Sequence, residues 1–246
     1  MNDIVSVMCV TFNRLALTKQ TIESLSKQTD YPFRLIIIDN GSIDGTVEYL
    51  KELNIDNKYC QSYDFKLNKE NLGIATGRNQ CLVIANKYND MWLSTIDNDV
   101  LFINQWTSKC VNVLKVNPNF SIGLNAEDVN YPIVNLNGYD VQLKPRGNIG
   151  TFCTMFPRDL HDRIGFFVSY GLYGEDDASF FIRSRVAGYK MGYLPENGIH
   201  LGVGENDVGE YREFKHKAHA ENLEKFKQDC YSYYNKTKSI YQSFIE

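Results

Sequence analysis

The sequence has no long apolar run, no closely spaced pair of cysteines and no excess of basic residues. No stretch reaches the roughly 18 apolar residues of a membrane span, and the apolar run at residues 5–10 is too short for a signal peptide. The six cysteines lie far apart, which argues against a zinc site and a disulfide framework. The formal net charge of −4 argues against nucleic-acid backbone binding. We therefore expect a reducing, cytoplasmic compartment.

The first half of the chain alternates apolar runs of strand length with segments of helix length. This alternation predicts βαβ units around a largely parallel sheet, and the run at residues 34–39 is apolar on both faces, as in strands covered by helices. The predicted strands cover residues 4–12, 34–39, 59–65 and 91–96, and the predicted helices cover 13–28 and 71–87, with one between them beginning within 41–46.

The second half is less regular. It predicts helices at 104–115 and 175–187, strands at 120–125, 147–156 and 189–195, and a long loop or hairpin at 130–146. Near the C-terminus, apolar residues recur every three or four positions: Leu223, Phe226, Cys230, Tyr233, Thr237, Ile240 and Phe244. This helical stripe is expected to pack on the domain, and a dimer seam or a membrane-surface contact is the alternative.

Polar side chains lie at the ends of three of the predicted strands, at residues 11–14, at Asp39 and Asn40, and at residues 97–99. The carboxyl ends of strands in an open α/β sheet are where ligands bind. Asp97 and Asp99 leave an apolar strand, where unpaired negative charge is costly, so Mg²⁺ or Mn²⁺ is their natural partner. Taken alone, an Asp-x-Asp triplet more often forms a polar turn than a metal site.

Four segments together are more specific than this triplet. Residues 10–14, 38–46, 71–79 and 97–99 resemble, in order and spacing, the family 2 glycosyltransferases of the GT-A fold. The resemblance implies an α/β fold with a mixed, mostly parallel central sheet flanked by helices. It implies a GT-A domain over residues 1–205, with a Rossmann-like nucleotide-binding half at 1–100 and an acceptor-binding half at 101–205. A C-terminal helical extension, residues 206–246, carries no recognised motif.

The resemblance also implies a nucleotide site. Asp39 matches the carboxylate that reads the base, most often uracil, and Arg78 matches the arginine that supports the nucleotide. The residues expected to bind the nucleotide sugar are Thr11, Phe12, Asn13, Arg14, Asp39, Asn40, Gly73, Arg78, Asp97 and Asn98.

The same comparison implies a metal site. Asp99 matches the carboxylate that binds Mn²⁺ or Mg²⁺, and Asp97 lies beside it and reaches the ribose. His200 lies where many members place a histidine that completes the metal or diphosphate site, although a single histidine is more often structural.

The acidic run Glu175, Asp176 and Asp177 is expected to supply the general base. Family members carry Glu-Asp, one residue, a second acid and then an apolar helix with an arginine. Aligned from Glu175, the base is Asp176 but Arg183 falls one position late; aligned from Asp176, the base is Asp177 and Arg183 is in place. We favour Asp176 narrowly. The alternative is that these acids only form a helix's first turn, where the dipole stabilises them.

These features predict a metal-dependent, inverting glycosyltransferase that uses a nucleotide-diphosphate sugar, with a UDP-sugar favoured. A sugar-1-phosphate nucleotidyltransferase would carry a glycine-rich loop after the first strand, and residues 11–14 contain no glycine. A non-catalytic nucleotide-sugar-binding module is the third possibility, and the retained acids argue against it. The acceptor stays open among a glycan, a lipid-linked glycan, a protein and a modified nucleic-acid base.

Overall fold

The computed structural model describes residues 1–126, 129, 131–145, 147–202 and 210–234, with the side chains of 210, 211 and 230–234 left out. The strands are β1 Asn2–Thr11, β2 Phe33–Asp39, β3 Cys60–Leu67, β4 Asp90–Ile96, β5 Val100–Leu101, β6 Phe120–Asn125, β7 Ile133–Leu136, β8 Tyr139–Leu143, β9 Cys153–Pro157, β10 Lys190–Asn197 and β11 Ile199–His200. The helices are α1 Leu15–Gln28, α2 Thr46–Glu52, α3 Ile74–Ala85, α4 Trp106–Val116, α5 Arg158–Ile164, α6 Asp176–Val186 and α7 Glu210–Tyr234.

Nine strands form one sheet in the order β3-β2-β1-β4-β9-β6-β10-β8-β7, and β5 pairs with β11 in a small second sheet. In the large sheet, β8 and β9 run against the other strands. The predicted mixed, mostly parallel sheet is confirmed.

The core lies on both faces of this sheet. Alternate side chains of β2 point to opposite sides, so Leu35 and Ile37 join one buried apolar cluster while Ile36 and Ile38 join the other. Within β1 and β2, Thr11 is paired with Asp39 at the carboxyl ends. The register thus brings the polar residues after these strands to one edge of the sheet.

Several predicted elements begin or end elsewhere. The helix predicted over 13–28 begins at Leu15, because Asn13 and Arg14 adopt left-handed backbone angles with φ of 54° and 63°. The helix predicted over 71–87 begins at Ile74, after Gly73 with φ of 87°. The strand predicted over 147–156 is confined to β9, and α5 was not predicted.

The segment predicted as a loop or hairpin at 130–146 contains the hairpin β7–β8, although residues 130 and 146 themselves lie outside the described part. The C-terminal stripe packs on the domain where it is described. Leu223 and Phe226 of α7 contact Tyr170 and Ile182 and the residues beside them. The side chains of Cys230 and Tyr233, and all of Thr237, Ile240 and Phe244, lie outside the described residues. Within the described residues, the helices are too short or too polar to cross a membrane.

Candidate active site

A cleft of about 660 Å³ opens at the carboxyl ends of the central strands. Its lining includes the strand ends, the loop at residues 148–152, the start of α6 and the first half of α7. The predicted site residues on its surface are Thr11, Phe12, Arg14, Asn40, Arg78, Asp97, Asn98, Asp99, Glu175, Asp176, Asp177 and His200. Most of the predicted site is therefore brought together.

Three predicted residues, Asn13, Asp39 and Gly73, lie behind this surface. The Asp39 side chain is fully buried, and its carboxylate accepts hydrogen bonds from Thr11 Oγ1 at 2.9 Å and Ser42 Oγ at 2.5 Å. It also accepts bonds from the backbone N–H groups of Gly41 and Ser42, at 3.1 and 2.9 Å. In this arrangement Asp39 organises the loop after β2 from inside.

Asn13 and Gly73 likewise shape the wall. The Asn13 N–H donates to Ser42 Oγ at 2.7 Å, and Asn13 Oδ1 accepts from the N–H of Ile43 at 2.9 Å. Gly73 lies so close to the backbone of Leu172 that a Cβ there would be 3.0 Å from its Cα. Both positions thus fix how loops approach the cleft.

Asp97, Asp99 and His200 form a cluster that fits a divalent cation. Pairing of β11 with β5 sets His200 opposite Val100, directly beside Asp99. One ligand atom from each of the three residues lies within 4.8 Å of the other two. Asp99 Oδ1 is buried without a hydrogen-bond partner among the described residues, although His200 Nε2 is 3.0 Å away. A buried, unsatisfied carboxylate oxygen facing an imidazole nitrogen is a pair of ligand atoms suited to a divalent cation.

Neighbouring charges keep Asp99 ionised. Burial raises the pKa of this carboxyl, but the neighbouring His200 and Arg14 outweigh burial and lower it to a net value below the ordinary one. Arg14 Nη1 donates to Asp99 Oδ2 at 2.8 Å. Phe152 stacks on His200 with ring centroids 5.3 Å apart, which fixes the imidazole plane. Arg14 and Phe152 thus hold Asp99 and His200 in position.

Arg78 links the acidic residues after β4 to the acidic residues at the start of α6, on two sides of the cleft. This buried guanidinium donates to Asp97 Oδ1 at 3.0 Å and, through Nη1, to Asp176 Oδ2. Burial lowers its pKa, but the charges of Asp176, Asp97 and Asp177 outweigh burial and raise it, so Arg78 stays charged. The strand end and the start of α6 are therefore joined by one cation with two carboxylate partners.

The three acids of the predicted base run have different surroundings. Glu175, with φ of 65°, pairs with His219 of α7 at 2.7 Å. Asp176 is bound to Arg78. Asp177 accepts the N–H of Ala178 at 2.6 Å and lines the cleft, and burial, followed by the charge of Asp176, raises its pKa to about 7. Asp177 thus combines cleft access with a carboxyl that titrates near neutrality.

Three residues of α7, Phe214, Lys215 and His219, line the cleft and were not predicted. They belong to the segment without a recognised motif. The available signal was their spacing: Lys215, His219 and Asn222 continue the apolar stripe toward the N-terminus of the helix at steps of four and three residues. A search for apolar periodicity ends at Leu223 because this continuation is polar.

Gly202 is expected to be essential for the acidic cluster. A Cβ at this position would overlap Asp99 Oδ2 and Arg14 Nη2. Gly202→Ala should therefore displace the Arg14–Asp99 pair, lower the stability by about 1–3 kcal/mol and weaken the Mn²⁺-dependent nucleotide binding expected from the sequence by about tenfold. Thermal unfolding and calorimetric titration with a nucleoside diphosphate and Mn²⁺ measure both effects.

Gly138→Ala is the matched control. Gly138 lies in the β7–β8 turn with φ of 96°, and a Cβ there meets no atom of the described structure within 4 Å. This variant should lose some stability through backbone strain but keep normal nucleotide binding. Equal nucleotide affinity in both variants would contradict the role given to Gly202.

Comparison with known proteins identifies the family. The model of the family described as glycosyl transferase family 2 matches residues 6–165, about two thirds of the chain. A protein of Haemophilus influenzae with the name "Uncharacterized glycosyltransferase" is 31% identical over 120 residues, which are 47% of this chain and 36% of that relative.

Solved structures show the same fold. The mannosyltransferase PcManGT from Pyrobaculum calidifontis, in complex with GDP-Man and Mn²⁺, aligns with a TM-score of 0.63 at 17% identity, covering 87% of this chain and 60% of that one. TarS from S. aureus, in complex with UDP-GlcNAc, aligns with a TM-score of 0.59 at 16% identity, covering 80% and 57%. The chain spans about a third of the curated relative and about 60% of these structures. With its mixed sheet of the GT-A type and its match to the family model, this chain belongs to glycosyl transferase family 2.

Proposed function

We propose that this protein transfers a glycosyl group from a nucleotide-diphosphate sugar, with a UDP-sugar favoured, to an acceptor hydroxyl with inversion and with the help of a divalent cation. The observation that carries the proposal is one cleft with two acidic walls. The Asp97, Asp99 and His200 cluster forms one wall, Asp177 borders the other, and Arg78 joins them.

The wall formed by Asp97, Asp99 and His200, here called the donor wall, supplies metal ligands, and Arg14 beside it supplies positive charge. Asp99 and His200, with Asp97 beside them, would hold Mn²⁺ or Mg²⁺. Bound there, the cation supplies neutralisation of the charge that develops on the departing diphosphate. Arg14, which borders the cleft beside Asp99, adds a second positive group on the same side.

The opposite wall, which Asp177 borders and which is here called the acceptor wall, supplies the general base. The structural surroundings favour Asp177 over Asp176 in this role. Both residues line the cleft, but the Asp176 carboxylate is bound to buried Arg78, whereas the described hydrogen bond of Asp177 comes from the N–H of Ala178. In the proposed step, Asp177 takes the proton of the acceptor hydroxyl, the oxygen bonds to the anomeric carbon, and the bond from that carbon to the diphosphate breaks. A base on the wall opposite the diphosphate accounts for inversion.

Two observations bear on the donor. The similar structures carry GDP-Man in PcManGT and UDP-GlcNAc in TarS. Both proteins therefore bind nucleoside-diphosphate sugars, but the nucleobase differs. The resemblance of Asp39 to a uracil-reading carboxylate favours UDP. Because Asp39 already accepts four hydrogen bonds, one from Thr11 and three from its own loop, contact with a nucleobase at this position requires an exchange of at least one of them.

A thermal-shift panel of nucleotides and nucleotide sugars, each with and without Mn²⁺, tests the proposal. A donor at about 100 times its Kd adds about 2.7 kcal/mol of stability, which raises the Tm of a chain of this size by about 5–10 °C. We expect the largest rise with a UDP-sugar in the presence of Mn²⁺, and release of UDP from that sugar.

The panel separates the parts of the proposal. A larger rise in Tm with a GDP-sugar would change only the assignment of the nucleobase. Equal rises in Tm with and without Mn²⁺ would refute the proposed role of the metal ion. No rise with any nucleotide sugar, together with no release of nucleoside diphosphate, would refute glycosyl transfer by this chain.

A further inference from the structure

We infer that the first half of α7 forms the acceptor subsite and that the acceptor is a sugar residue stacked on Phe214. This inference rests on the proposed function. It assigns a role to a segment that lies outside the matched family region, which ends at residue 165. Phe214 and Lys215 line the cleft from this helix, and His219 follows one turn later.

The helix is fixed against the loop that leads to the base. Asn222 Nδ2 donates to the carbonyl of Tyr173 at 2.8 Å, and His219 Nδ1 lies 2.7 Å from Glu175 Oε1. Asn222 also packs so tightly on Gly171 that a Cβ there would overlap its amide. These contacts fall within six residues of Asp177, so α7 and the base are held as one unit.

One face of α7 changes character where it reaches the cleft. Toward the C-terminus, Phe226 is buried and meets Tyr170 edge to face, with centroids 5.7 Å apart. Toward the N-terminus, the same face presents Asn222, His219 and Lys215. The apolar part packs on the domain with Asn222 buried beside it, whereas His219 and Lys215 border the cleft. This change is expected where a helix contributes to a polar binding site.

The chemistry of this wall matches a sugar ring. Phe214 and Tyr173 supply aromatic faces, on which the C–H face of a sugar stacks. Glu175 and Asp177 supply hydrogen-bond acceptors, and Lys215 supplies a donor, for the ring hydroxyls. A hydrocarbon chain would desolvate these charged groups and offer no hydrogen bond of its own, which is costly. A hydroxyl-bearing ring is therefore favoured over a lipid tail.

Acceptor kinetics with p-nitrophenyl glycosides of common hexoses and N-acetylhexosamines test this inference, with the donor taken from the thermal-shift panel. Phe214→Leu keeps an apolar side chain but removes the aromatic face, and should raise the KM for the best glycoside about tenfold. Donor KM and donor hydrolysis should stay within about twofold. Phe214→Tyr should restore the acceptor KM.

Phe65→Leu is the matched control, because Phe65 is an exposed phenylalanine on the edge strand β3, away from the cleft. It should behave as wild type. Lys215→Gln, at an adjacent cleft position, repeats the test if Phe214→Leu fails to fold, and should also raise the acceptor KM. An unchanged acceptor KM in the variant tested would overturn the inference. Transfer only to polyprenyl phosphate or to a peptide would also overturn it. So would donor hydrolysis by wild type without transfer to any glycoside. Absence of donor turnover in wild type would instead refute the proposed function, and the acceptor assignment with it.

Discussion

Asp177→Asn should lower kcat for glycosyl transfer by about 10²–10⁴-fold, while the Kd of the donor with Mn²⁺ stays within about twofold. An amide has nearly the shape of the carboxylate but does not accept the acceptor's proton. Asp177 lines the cleft, and none of its described contacts is to the cation cluster. Initial-rate kinetics and calorimetric titration with the donor measure the two quantities separately.

The same variant should be more stable than wild type at alkaline pH. Burial and the charge of Asp176 raise the pKa of Asp177 from 3.8 to about 7 in the folded state. The folded protein therefore binds more protons than the unfolded chain between these values, and wild-type stability falls as the pH rises through this window. Above about pH 7, the free-energy cost of holding Asp177 ionised in the folded state is fully present. With allowance for partial exposure, Asp177→Asn should gain about 2 kcal/mol at pH 8 and less at pH 5.

Asp176→Asn is the matched control for the assignment of the base. Asp176 neutralises buried Arg78, so its loss leaves that guanidinium with Asp97 as its remaining hydrogen-bonded carboxylate partner in the described structure. We expect lower stability, by about 3 kcal/mol, and transfer activity above that of Asp177→Asn. If Asp176→Asn instead abolished transfer at unchanged stability and Asp177→Asn did not, the base would be Asp176.

The ambiguity between Asp176 and Asp177 illustrates what sequence alone leaves open. Consecutive helical residues point about 100° apart, so one of two adjacent acids faces Arg78 and the next faces the cleft. The sequence contains both alignments of the acidic run. The direction of each carboxylate is decided by the helix start after Glu175, whose positive φ no motif specified.

The strand ends were predictable for a clear reason. Apolar runs of strand length followed by polar residues define where each parallel strand leaves the core, and Asp97 and Asp99 follow β4 as predicted. Parallel pairing of β1 with β2 and with β4 then places these ends together. Local sequence therefore contains most of the information for the donor wall.

The α7 wall was not predictable by the same means. Its contribution depends on where a distant helix docks, and the cleft-lining positions Lys215 and His219 are polar and give no apolar period. Asp39 presents the converse case. Its position at the end of β2 was predicted, but its full burial depends on the hydroxyls of Thr11 and Ser42, which only the folded chain brings within reach.

Asp99→Ala should abolish the Mn²⁺ dependence of donor binding and weaken that binding by about 10²-fold or more. The variant removes a carboxylate that lies 2.8 Å from Arg14 and 3.0 Å from His200. Calorimetric titration of Mn²⁺ alone, without donor, should lose its binding isotherm. Since the ion pair between Arg14 and Asp99 is also lost, the metal-free variant should be less stable than wild type by about 1–3 kcal/mol.

Asp44→Ala separates the metal effect from the stability effect. Asp44 is exposed and accepts hydrogen bonds from the N–H of Leu15 at 2.8 Å and from Thr46 Oγ1 at 2.6 Å, so its loss also costs about 1 kcal/mol. It does not line the cleft, however, and this variant should bind Mn²⁺ and the donor as wild type does. If Asp99→Ala retained the Mn²⁺ isotherm, the cation would bind elsewhere. The buried Asp99 would then serve only as the anionic partner of Arg14 and His200.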